Sequence, residues 1–170
     1  MRTKAIIALT LFILAGLNYG IYKKEQLKAQ GETVLLELAP VDPRSLMQGD
    51  YMVLRYAIER NTPVDKLASH QKRGYIVIRT NEHNVGEYVR FYDDAPLAEG
   101  EKRLHFHRKY NRIRIVPDAF FFQEGHAHFY ENAKYGVFKF DHSGKPLLIG
   151  LADEQKNMIK PATSDTLNEK

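Results

Sequence analysis

The chain has 170 residues, with 25 Lys and Arg against 21 Asp and Glu and a formal net charge of +4 at pH 7. That length is one domain plus a small appendage, and a charge this slight and evenly mixed describes a solvated surface. With no cysteine, a disulfide framework, a lipid-modified cysteine and a thiolate metal site are excluded, so the folded part must rest on its own core, which its size permits.

Residues Ala5 to Tyr22 form a nearly unbroken apolar run, with Arg2 and Lys4 before it and Lys23 and Lys24 after it. At 1.5 Å per residue the run spans about 27 Å, close to the hydrocarbon thickness of a bilayer. A cleaved secretory signal competes with this reading. Cleavage wants small residues at the first and third positions before the cut, yet Gly16 is paired with Leu14, and Gly20 with Asn18. An uncleaved signal-anchor is therefore expected, contacting the lipid bilayer through residues 5–22, with Tyr19 and Tyr22 at the far interface. Flanking charges nearly balance, so placing the large domain outside rests on the segment's N-terminal position. The expected localisation is the cell inner membrane, single-pass, with the domain facing the periplasm or cell exterior.

A polar helical extension runs to about Gln30, Gly31 breaks it, and Val34 to Leu38 reads as a first strand. Pro40, Asp42 and Pro43 force a turn, and Gly49-Asp50 signals a second. From there Tyr51 to Ile58 reads as a strand with Met52, Leu54, Tyr56 and Ile58 on one face. Asn61 to His70 is a loop or single helical turn. Gly74–Thr80 and Val85–Tyr92 form a hairpin across Asn81–Asn84, and Asp93–Glu101 is an exposed loop. Leu104, Phe106 and Tyr110 share one parity and Ile113 and Ile115 the other, so a bulge or tight turn is expected near Asn111. His126, Phe129, Tyr130 and Ala133 recur at helical spacing, which predicts a short amphipathic helix. Lys134–Phe140 and Pro146–Leu151 make a closing hairpin. The fold class is mainly β (α+β): a transmembrane helix and extension over residues 1–30, one antiparallel β-rich extracytoplasmic domain over 31–154, and a polar tail over 155–170, expected to be disordered.

Gly49-Asp50-Tyr51-Met52-Val53-Leu54-Arg55-Tyr56 fits, position for position, the pattern G-D-Y-x-x-L-x-Y, and the chain thereby resembles the GDYxxLxY family of bacterial membrane-anchored proteins. The resemblance extends back through Pro40 to Arg44, including Asp42 and Pro43, and forward to Glu124-Gly125, Tyr135-Gly136 and Gly144. It implies a small envelope protein with one transmembrane helix, an accessory partner of a multi-pass membrane protein; together with the missing nucleophile and base pairings this leads to the expectation of a non-enzymatic module, and no cofactor is expected. On the residues alone the motif needs no catalysis: Asp42-Pro43 and Gly49-Asp50 are turn dipeptides, Arg44 is placed to reach Asp50 across the turn, and Tyr51 and Tyr56 fall on opposite strand faces.

Two chemistries compete with the binding-module reading. A signal-peptidase-like serine protease is suggested by Ser45 before Gly49-Asp50, but Met47 is one place late, the expected proline is missing and Lys72 has no general-base context. A histidine metal site is suggested by His105 and His107, two apart on a strand, with His126 and His128 as a second pair if that stretch is extended. The densest basic stretch, Lys102 to Arg114, could meet phosphates or anionic lipid head groups. Phe106 and Tyr110 lie within it, yet basic residues alternating with apolar ones also describe a half-buried strand, and no nucleic acid is expected.

Overall fold

The computed structural model describes residues 2–39, 47–48, 51–67, 71–141 and 144–161. Helix α1 spans Arg2–Gln30, and every large apolar side chain from Ile6 to Tyr22 stands exposed, around its whole circumference. A helix apolar on all sides needs an apolar medium. Its polar end, residues 23–30, forms a stalk of about 12 Å. The stalk meets the β domain without a linker: the Gly31 amide donates to the Leu27 carbonyl at 2.8 Å, Lys139 Nζ donates to the Gly31 carbonyl at 2.8 Å, and the first strand begins at Glu32.

The strands are β1 (Glu32–Glu37), β2 (Met47–Gln48), β3 (Tyr51–Val53), β4 (Arg73–Thr80), β5 (Gly86–Phe91), β6 (Glu101–Lys109), β7 (Arg112–Ile115), β8 (Ala119–Phe121), β9 (Tyr135–Phe140) and β10 (Pro146–Ala152). They form three antiparallel sheets, ordered β1-β9-β10, β2-β3-β8 and β5-β4-β6-β7. All three face one core. Val34 and Leu36 of β1, Met52 of β3, Ile76 and Ile78 of β4, Leu104 and Phe106 of β6, Ile113 and Ile115 of β7, and Phe138 and Phe140 of β9 are buried together. The alternation along β6 puts Leu104 and Phe106 inward and Arg103, His105 and His107 outward, as a half-buried strand requires.

The Tyr51–Ile58 segment keeps its expected alternation, with Met52, Leu54, Tyr56 and Ile58 all buried, but it is not one strand. The Leu54 amide still donates to the Asp118 carbonyl just before β8, and then the segment's partners change: the Arg55 carbonyl accepts from the Ala39 amide, and Tyr56 bridges to Leu38. Ile58 already opens a helical turn, α2 (Ile58–Asn61). The β4–β5 hairpin forms as expected. The parity change near Asn111 is a two-residue hairpin loop, with Tyr110 at φ 49 and Asn111 at φ 58, both left-handed as a turn of this kind demands. Tyr110 is therefore 89% exposed and leaves the face of Leu104 and Phe106.

Two further expectations are corrected. The segment around His126–Ala133 holds a 3₁₀ turn, Ala127–Tyr130, in place of an amphipathic helix. Tyr130 with partly buried Phe129 and Ala133 still packs on the core, and so short a segment gains too little to nucleate an α-helix. The ordered chain also continues past Glu154. Asp153 Oδ1 accepts from the Asn157 amide at 2.8 Å and closes a turn, after which Met158 bridges to Ala152 and Ile159 donates to Leu151 and packs on the core. The polar composition of the segment hides these apolar contacts. Truncation after Glu154 is expected to destabilise the protein, relative to the chain truncated after Pro161, by about 1–3 kcal/mol through loss of the Ile159 burial. Denaturant unfolding of the two truncations in detergent checks this.

Candidate functional site

The described part of the motif, Tyr51 to Tyr56, ends in a tied-down corner. Leu54 and Tyr56 are fully buried. The Tyr56 hydroxyl donates to the Pro117 carbonyl at 2.9 Å, and its ring lies 5.8 Å from Phe138. A Cβ at Gly136 would stand 3.2 Å from the Tyr56 ring, so a larger residue there would press on the tyrosine. Burial, reinforced by the carboxylates of Glu59 and Asp118, holds the Tyr56 phenol well above its ordinary value of 10.0. Tyr51, on the opposite face, is half-buried and its ring lies 5.6 Å from that of Phe121. Tyr56 is core and Tyr51 is surface, as their odd spacing requires. Asp42, Pro43, Arg44, Ser45, Gly49 and Asp50 lie outside the described residues, and so does the expected Arg44–Asp50 pair.

Three residues beyond Tyr56, Glu59 turns inward, its side chain 5% exposed. Oε1 accepts from the Ile115 amide at 3.0 Å and Oε2 from Arg114 Nη1 at 2.7 Å. Beside this pair lies a cavity of about 590 Å³, lined by Tyr56, Glu59 and four arginines, Arg55, Arg60, Arg112 and Arg114. The arginines come from the motif segment after β3, from α2 and from β7. The sequence offers little signal for this group, because Glu59-Arg60 reads as a solvated charge pair and Arg112 and Arg114 read as the wet face of a strand.

Glu124 and Gly125 are exposed. Gly125 takes φ +80, and its carbonyl lies 3.0 Å from His128 Nδ1, so the pair makes a turn that glycine accommodates. His105 and His107 share the outer face of β6, as their spacing requires. His105 packs 5.3 Å from Tyr75, and partial burial followed by the charges of Arg73 and His107 lowers its pKa. His107 Nε2 stands 4.0 Å from Asp118 Oδ2, while His126 and His128 both lie against Phe129. Among the described residues no three His, Asp or Glu side chains gather as a metal set, so the two histidine pairs do not form one site. Lys72 is exposed.

The basic stretch is divided by the fold. Lys102 points inward and pairs with Glu32 at 2.8 Å, Arg103 stacks over Tyr75 and Tyr92 at 5.5 and 5.1 Å, and Arg112 and Arg114 enter the cavity. Phe106 is core.

The architecture defines a class: a mainly β domain following one N-terminal helix long and apolar enough to cross a membrane. The chain matches the family model described as GDYXXLXY protein over residues 13–151 and belongs to that family. No curated protein and no solved structure matches it.

Tyr56 supplies a pH test. Its phenol keeps its proton in the folded state at pH values where the unfolded chain loses it, so this contribution to stability is complete below about pH 10 and is lost as pH rises further. Tyr56→Phe is expected to cost about 1–2 kcal/mol near neutrality, by leaving the Pro117 carbonyl without its donor, and to make the decline above pH 10 shallower. Tyr88 and Tyr130 are shifted in the same direction and retain part of the slope. Denaturant unfolding of both proteins from pH 8 upward checks the sign.

Proposed function

We propose that the chain is a single-pass protein of the inner membrane whose β domain stands outside the cytoplasm and acts as a non-enzymatic accessory or binding module for a multi-pass membrane protein. The observation that carries this reading is the join between anchor and domain. An apolar helix exposed on every face runs through a short helical stalk into β1 with only Gly31 between them. A domain held so close to a bilayer suits binding beside a membrane partner. The cavity chemistry agrees, since guanidiniums hold charge, and the Tyr56 hydroxyl is engaged by a backbone carbonyl. Family membership is compatible with this role.

A reporter active only outside the cytoplasm, fused after Lys170, is expected to be active, with the fusion retained in the membrane fraction after a carbonate wash. A soluble form beginning near Leu17 or Ile21 would show a cleaved signal and remove the anchor. Purification of the intact chain from mild detergent is expected to bring down a multi-pass membrane protein in stoichiometric amount. Recovery of the chain alone contradicts the accessory role.

A further inference from the structure

Four arginines and one glutamate line the cavity beside Tyr56. Arginine stays protonated throughout the physiological range, so it cannot relieve mutual repulsion by losing a proton, as a crowded lysine or histidine can. Glu59 is already committed: its two oxygens take the Ile115 amide and Arg114, which removes one positive charge and fixes the Arg114 side chain against the wall. Among the described residues Arg55, Arg60 and Arg112 have no carboxylate in ion-pair range. Three arginines therefore line one cavity without a counter-charge from the described fold. They come from the segment after β3, from α2 and from β7, so the excess is not a helical or strand periodicity of surface charge. The cavity also has the size of a small-molecule site, roughly 300–1,000 Å³.

From this juxtaposition we infer that the cavity binds a phosphate-bearing anion. A phosphate group concentrates about two negative charges on oxygens that several planar guanidinium forks can share in charge-assisted, bidentate contacts. The Glu59 carboxylate rejects nothing in this arrangement, because its charge is held by Arg114 and its second oxygen by a backbone amide. Tyr56 contributes wall and no free donor, since its hydroxyl is given to Pro117. The inference goes beyond the accessory-module reading, because the ligand class follows from the cavity alone and holds with or without a membrane partner.

The same chemistry is offered by a soluble phosphate compound and by an anionic lipid head group. The site lies at the end of β1 away from the stalk, where Leu38 bridges to Tyr56 and Ala39 borders the cavity, eight residues or about 26 Å of extended chain beyond Gly31.

The test uses the full chain in nanodiscs of neutral phosphatidylcholine, titrated calorimetrically with inorganic pyrophosphate at low salt. Saturable binding to one site is expected. Arg55→Gln, Arg60→Gln and Arg112→Gln are each expected to weaken it about tenfold or more, while Lys145→Gln, which removes the same charge at an exposed position just before β10, leaves it unchanged. The arginines replaced are half-buried or exposed, and an unchanged thermal midpoint without ligand shows that each variant is folded. Absence of saturable binding overturns the inference. So does a loss in Lys145→Gln equal to that in the arginine variants, which reduces the effect to general attraction. Monomeric dihexanoyl phosphatidylglycerol is then added to the pyrophosphate-loaded protein: displacement assigns the site to a lipid head group, and no displacement assigns it to a soluble phosphate compound. Neither result depends on capturing a membrane partner, so failure here and failure of the accessory role are separate outcomes.

Discussion

A buried carboxylate holds the far end of this domain together. Removing the Glu59 side chain from water costs several kcal/mol unless its oxygens are re-satisfied, and the fold supplies two donors, the Ile115 amide and Arg114. The Tyr56–Pro117 hydrogen bond adds a second tie close by. Together they fasten residues 56–59, where the motif strand turns into α2, to residues 114–117, where β7 leaves its sheet. β7 is an edge strand, and an exposed edge invites unwanted pairing. Here a side-chain oxygen takes its Ile115 amide and α2 lies alongside.

That corner is joined to the apolar helix α1 by one strand. β1 starts at the end of the stalk, runs the length of the core beside β9 and ends where Leu38 meets Tyr56. At its beginning Glu32 meets Lys102, whose side chain is only 7% exposed. β1 thus carries a charged tie to the β5-β4-β6-β7 sheet at one end and abuts the arginine cavity at the other. The last tyrosine of the family motif sits at the junction of the three sheets, against Gly136 of β9 and the Pro117 carbonyl before β8.

Much of the frame was legible in the sequence because it rests on local patterns. The apolar run of α1, the alternation from Met52 to Ile58, the β4–β5 hairpin and the parity change between Phe106 and Ile113 each follow from spacing alone. What escaped were residues whose burial depends on distant partners. Glu59 looks like a solvated charge until Ile115, 56 positions away, delivers its amide. Lys102 looks like part of a basic surface until Glu32 is placed beside it. Ile159 sits in a polar stretch that reads as a tail until Leu151 offers a strand edge. The arginine cavity belongs to the same group, since its members are local surface charges brought together only by the tertiary fold.

Glu59 and Arg114 act as a unit, and a double-mutant cycle of Glu59→Gln and Arg114→Gln, followed by denaturant unfolding, measures that directly. Because Arg114 is 20% exposed, solvent screens part of the interaction, and a coupling energy of about 1–3 kcal/mol is predicted. Losses that add to within about 0.5 kcal/mol would contradict the account, showing that the two side chains do not hold the corner or shape the cavity beside it.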